Sequence, residues 1–130
     1  QLRPQDFMVV APYNAQVNKI KRTLLEAKDL KAVTKDNVWE IVGTVDRFQG
    51  KEAPVVIYSL TTSRQDLMPR GRKGDFLFSP NRLNVAVSRA KCLAYMVGTE
   101  ELMDTHASSI SEMEALNHFC RYVDDLSVAE

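Results

Sequence analysis

Val55-Val56-Ile57-Tyr58-Ser59-Leu60 is apolar at nearly every position. A strand with one wet face alternates apolar and polar residues, whereas an unbroken apolar run reads as a central parallel strand covered on both sides. Parallel neighbours need crossovers, so strands and helices must alternate along the chain. Upstream, Phe7 to Ala11 is a second short apolar run, stopped at Pro12, which lacks a donor for a ladder. Asn14 then predicts a cap for a helix through about Lys28, with Val17, Ile20, Leu24 and Ala27 at helical spacing. Residues 29 to 38 are polar and read as a connector, and Trp39 to Val45 reads as a further strand. Downstream, Thr61 to Phe78 is polar, with Arg64, Arg70, Arg72 and Lys73, and predicts a long loop. Ser79-Pro80 suits a helix start, serine at the cap and proline in the first turn. Leu93 to Val97 reads as another strand, and Thr99 predicts a cap for a short helix with Glu100 and Glu101 in its first turn. Ser111-x-x-Glu114 fits a capping box ahead of the stripe Leu116, Phe119, Cys120 and Val123. The class is α/β.

Composition sets bounds. At 130 residues, 45% hydrophobic and 26% charged, the chain is one domain's worth of an ordinary globular protein. Seventeen basic and seventeen acidic residues cancel, so any attraction to nucleic acid must come from a local patch or a partner. No apolar run approaches the ~20 residues needed to span a bilayer, and no signal peptide opens the chain, so no membrane partner and an intracellular location are expected. The two cysteines, Cys92 and Cys120, lack metal-ligand spacing and are expected to be reduced core residues. No metal site is expected.

Arg82-Leu83-Asn84-Val85-Ala86-Val87-Ser88-Arg89-Ala90-Lys91 carries the clearest chemistry. On a continuous helix Arg82 and Arg89 would lie about two turns apart and share a face with the small Ala86. Leu83, Val87 and Ala90 would form a separate docking stripe. Fixed guanidinium groups suit a polyphosphate, since they stay charged and offer forked donors. Asn84 and Ser88 fall on another face, where they would either orient Arg89 or bond to neighbouring loops.

Together with Gly43-Thr44-Val45-Asp46-Arg47-Phe48-Gln49-Gly50-Lys51-Glu52, this segment resembles the motor core of superfamily 1 helicases. The likeness is to the branch of the nonsense-mediated-decay helicase, senataxin and the immunoglobulin mu-binding helicase. Thr-Val-Asp-x-Phe-Gln-Gly-x-Glu is that family's motif V, Asn-Val-Ala-x-Ser/Thr-Arg-Ala its motif VI, and Pro12-Tyr13-Asn14-Ala15-Gln16 is similar to the Pro-Tyr-x-x-Gln element before them. The resemblance covers roughly residues 7 to 103. It implies a single C-terminal RecA-like domain over 1–130, a three-layer fold with a mainly parallel central sheet and helices on both faces. It implies ATP and Mg2+ as cofactors of the longer protein, with single-stranded DNA or RNA and an N-terminal RecA-like domain as partners.

The same likeness assigns roles. Arg89 corresponds to the arginine finger, a donor to the transferring phosphoryl group. Arg82 lies beside it in the motif as a phosphate or interdomain contact. Glu52 approaches the ribose hydroxyls, Gly50 permits a tight turn beside the nucleotide, and Gln49 couples the domains. Thr44, Asp46 and Arg47 belong to the single-strand track, with Tyr13 and Gln16 near it. No Gly-x-x-x-x-Gly-Lys-Ser/Thr occurs, nor an acidic pair after an apolar strand. The family's adenine-stacking segment would fall before Gln1. A piece of a longer protein is therefore expected, inactive toward ATP by itself. The competing reading is a non-catalytic RecA-like scaffold that binds protein or nucleic acid.

Overall fold

The computed structural model describes residues 1–60, 79–104, 106 and 109–125. Its elements are β1 (Phe7–Val10), α1 (Asn14–Glu26), α2 (Val38–Ile41), β2 (Val42–Gly43), β3 (Ala53–Ser59), α3 (Pro80–Ser88), β4 (Ala90–Val97) and α4 (Ile110–Asp124), with 3₁₀ turns at Pro4–Asp6, Asp46–Phe48 and Glu100–Leu102. The chain divides into two compact units, Gln1–Thr61 with Asn84–Val97, and Thr62–Leu83 with Gly98–Glu130.

The first unit holds a sheet of order β2-β1-β3-β4, parallel throughout. This is an α/β, RecA-like arrangement. The apolar run Val55 to Ser59 lies in β3, between β1 and β4, with Val56 and Tyr58 almost wholly buried. Val10 of β1 and Val42 of β2 are equally enclosed. Ala11, Val17, Val38, Ile41 and Val42 form a buried cluster, onto which Phe7, Val9, Ile20, Leu24 and Val33 pack. Helix α1 thus covers the sheet with the apolar stripe legible in its sequence.

Several local expectations are corrected. The strand expected over Trp39 to Val45 is largely the helical turn α2, and β2 keeps only Val42 and Gly43. Asn37 explains why: its side-chain oxygen accepts from Thr34 N at 2.8 Å and its amide donates to Ala32 O at 2.9 Å. That folds the connector tightly before Val38. A helical turn then buries Val38 and Ile41, three apart, and leaves Trp39 and Glu40 outside. Asn14 opens α1 as its first helical residue; Tyr13 is at the cap and gives no side-chain bond.

Helix α3 opens at Pro80, as the sequence predicts, but ends at Ser88, so Arg89 lies in the turn before β4. The continuous helix assumed for the two arginines therefore does not exist, and Ala86 is buried rather than beside an open face. Strand β4 is longer than expected, starting at Ala90. In the second unit, α4 is capped by Ser109, whose hydroxyl accepts from Glu112 N at 3.2 Å, two residues before the expected Ser111 box. Glu112, Ala115 and Phe119 are its buried residues. Cys92 is exposed on β4, against the expectation of a core residue, while Cys120 is half-buried. The basic stretch expected to loop over 61–78 lies outside the described residues.

Candidate nucleotide and strand-binding site

Thr44–Glu52 is a crossover: it leaves the carboxyl end of β2 and enters the amino end of β3. Its middle is stitched by backbone bonds, Arg47 N to Thr44 O at 3.1 Å, Phe48 N to Val45 O at 3.2 Å and Lys51 N to Phe48 O at 3.0 Å. Phe48 is its anchor, 1% exposed. Gly50 has φ +81, and no atom lies within 4 Å of where a Cβ would sit. Glycine is therefore required there for the left-handed turn.

That turn delivers Glu52 to the residue before β3. Arg89 is the residue before β4, and the two strands are neighbours with Ala53 in register with Ala90. Ala53 N donates to Arg89 O at 3.0 Å, fastening the two entrances together. The fold thus brings two residues distant in sequence to one end of the sheet. Glu52 meets Lys91 Nζ through Oε2 at 3.5 Å. Both side chains are over half exposed, so this pair contributes at most about 1 kcal/mol. Arg89 is half-buried, and its Nε is buried without a hydrogen-bond partner among the described residues. A buried unsatisfied donor costs about 1–3 kcal/mol. Ser88 does not orient Arg89; its hydroxyl donates to Val85 O at 3.0 Å inside the helix. Arg82 is half-buried within α3.

The opposite end of the crossover carries Thr44, half-buried, and Asp46, Arg47 and Gln49, all exposed. The Arg47 stem crosses Gly43 so closely that a Cβ there would lie 2.6 Å from its Cδ. Tyr13 and Gln16 follow β1, where the order β2-β1-β3 places the sheet's switch point, the usual ligand crevice of open α/β sheets. Gln16 is partly exposed, but Tyr13 is buried and packs in the core, leaving little ring for a base.

Two residues escaped the sequence reading. Lys21 of α1 is only 6% exposed, and its Nζ lies 3.3 Å from the centroid of the Trp39 ring. Burial, and then the charge of Arg47, hold its ammonium below the usual lysine range. The available signal was its position four residues after Val17, on the buried face of α1. Among the described residues no group of three or more His, Cys, Asp or Glu is placed to hold a metal ion. No described helix is long and apolar enough to cross a membrane.

Residues 1–101 match the profile of an AAA domain family, AAA_12. The chain is 36% identical over 108 residues to mov-10-B.1 of Danio rerio, a match covering 81% of this chain and 10% of that protein. It is 35% identical over 104 residues to the RNA helicase Mov10l1 of Mus musculus, covering 79% of this chain and 8% of the relative. Against the DNA replication ATP-dependent helicase/nuclease DNA2 of Xenopus tropicalis it is 36% identical over 96 residues, 74% of this chain and 8% of that one. The chain spans about a tenth of the length of the curated relatives it matches.

Proposed function

The chain belongs to the superfamily 1 helicases, as a C-terminal domain of the SF1B branch, and from that premise we propose that it is the second motor domain of an ATP-driven translocase on single-stranded nucleic acid. The observation that carries this reading is that Glu52 and Arg89 stand at the neighbouring entrances of β3 and β4, with Arg89 Nε buried and without a hydrogen-bond partner among the described residues. A carboxylate accepts hydroxyl protons and repels phosphate, while a guanidinium does the reverse. The pair is therefore chemically sorted for a nucleoside triphosphate, ribose toward Glu52 and terminal phosphate toward Arg89.

In this reading a partner domain holds the β- and γ-phosphates and supplies the ligands for Mg2+, which neutralises phosphate charge when bound. Arg89 stabilises charge on the transferring phosphoryl group and does no covalent chemistry. Its desolvated Nε strengthens that contact, because donors preorganised away from water need no reorganisation as charge develops. Glu52 exchanges Lys91 for the ribose hydroxyls. Arg82 adds a phosphate or interdomain contact, Gln49 a coupling one, and Gly50 holds the turn that sets Glu52 in place. At the far end of the crossover Thr44, Asp46 and Arg47, with Gln16, meet the strand backbone. Cleft closure on ATP and reopening after hydrolysis would then move the strand. The protein would act inside the cell.

The test is ATP turnover by the polypeptide that unites this domain with its phosphate-loop partner, with and without single-stranded DNA or RNA. Strand-stimulated turnover should fall by roughly a thousandfold or more in Arg89→Ala. Turnover within a few-fold of wild type would sink the arginine-finger assignment. A folded, strand-binding wild type without turnover would favour the scaffold.

A further inference from the structure

Among the described residues of the first unit, Trp39 is an outward-facing aromatic ring with a cation against it. It is 51% exposed. The Lys21 ammonium lies against one face of the indole, so the exposed area belongs to the rest of the ring. Arg47, exposed, sits close enough to Lys21 for the two charges to repel. Neither cation meets a carboxylate among the described residues. An aromatic surface backed by one cation, with a second cation nearby and neither ion-paired among the described residues, suits an anion that carries its own flat ring. A nucleotide unit of a single strand has both parts.

We infer that Trp39, Lys21 and Arg47 form a base-and-phosphate subsite for single-stranded nucleic acid, the base stacking on the open face of Trp39 and the adjoining phosphate meeting Arg47. Lys21 is a positioning residue: it braces the ring from behind and adds positive potential without touching the strand. The inference rests on the strand-binding reading above and extends it to two residues outside the three motifs quoted for this sequence. Stacking on an indole is indifferent to base identity, so the subsite holds a strand without reading it. Gly43 completes the construction, since only a residue without Cβ lets the Arg47 stem cross β2 where it does.

Trp39 is the sole tryptophan of this chain, so intrinsic emission reports on this ring alone. Short oligothymidylate or oligouridylate, added to the 130-residue chain, should quench that emission saturably, with a midpoint that rises with salt. Anisotropy of a labelled strand should show Trp39→Ala weakening binding about tenfold and Trp39→Phe retaining most of it. Arg47→Gln should flatten the slope of log affinity against log salt by about 0.7, the loss of one phosphate contact. Lys21→Met should weaken binding while leaving the Tm unchanged or higher, whereas a purely structural lysine would lower the Tm and spare affinity. Strand binding without quenching, and within twofold of wild type in Trp39→Ala, would overturn the subsite and leave the strand-binding reading intact. No anisotropy change with wild-type chain would overturn both. Equal quenching by polyglutamate would point to an acidic protein partner and overturn the nucleic-acid assignment.

Discussion

Gly43 and Lys21 show how single residues shape the surroundings of Arg47. A Cβ on Gly43 would lie 2.6 Å from Arg47 Cδ and 3.1 to 3.2 Å from two ring carbons of Phe48. The arginine stem is flexible and can retreat, but the phenyl ring is fully enclosed. Gly43→Ala should therefore destabilise the fold by about 1–3 kcal/mol, as overpacking does, read as a lowered urea midpoint. Lys21 pulls the other way. Its ammonium is held below the ordinary lysine value of 10.5, first by burial and then by Arg47. The unfolded chain thus binds this proton more tightly than the folded one, so the charge costs stability at neutral pH. That cost is lifted as pH climbs through the folded value toward 10.5. Lys21→Met should be the more stable protein at pH 7, with the gap to wild type closing in alkali. A gap that widens in alkali would mean that the contact with the indole outweighs burial.

Elements were legible where one signal ruled them. The unbroken apolar run of β3 admitted one environment, and Pro80 and Pro12 marked boundaries that the chain keeps. Two elements were not legible. Val38 and Ile41 fit a helical turn, while the apolar residues around them fit a strand, and only the turn built by Asn37 decides between these. The motif VI helix has no breaker before Arg89, so nothing local reveals that Ala90 already pairs with β3. That distinction moved Arg89 from a helix face to a strand entrance beside Glu52. The cap of α4 was misplaced for a similar reason, since two Ser-x-x-Glu frames overlap at Ser109 and Ser111. Ser109 is the serine whose hydroxyl accepts from Glu112 N. Ser109→Ala should cost about 1 kcal/mol and Ser111→Ala less, in paired denaturation curves.

At the scale of the whole molecule, the motif residues were legible as letters and their grouping was not. Thr44 and Glu52 are near neighbours in sequence, yet they stand at opposite ends of parallel strands. Glu52 and Arg89 are far apart in sequence, yet a single backbone bond from Ala53 separates their strand entrances. Burial also divided the candidates, enclosing Tyr13 and exposing Asp46, Arg47 and Gln49. The two ends that carry the candidate residues are joined by one stretch of chain, pinned at Phe48 and closed by consecutive 3₁₀ bonds. Such a stretch has no slack. If it moves as a rigid rod, whatever shifts Glu52 also shifts Thr44. Two glycines inserted beside Gly50 should leave each end able to hold its ligand. Turnover of the joined polypeptide should then lose its response to added strand, with basal hydrolysis and strand affinity each kept within a few-fold. The short link would make timing, rather than affinity, the property that this segment contributes.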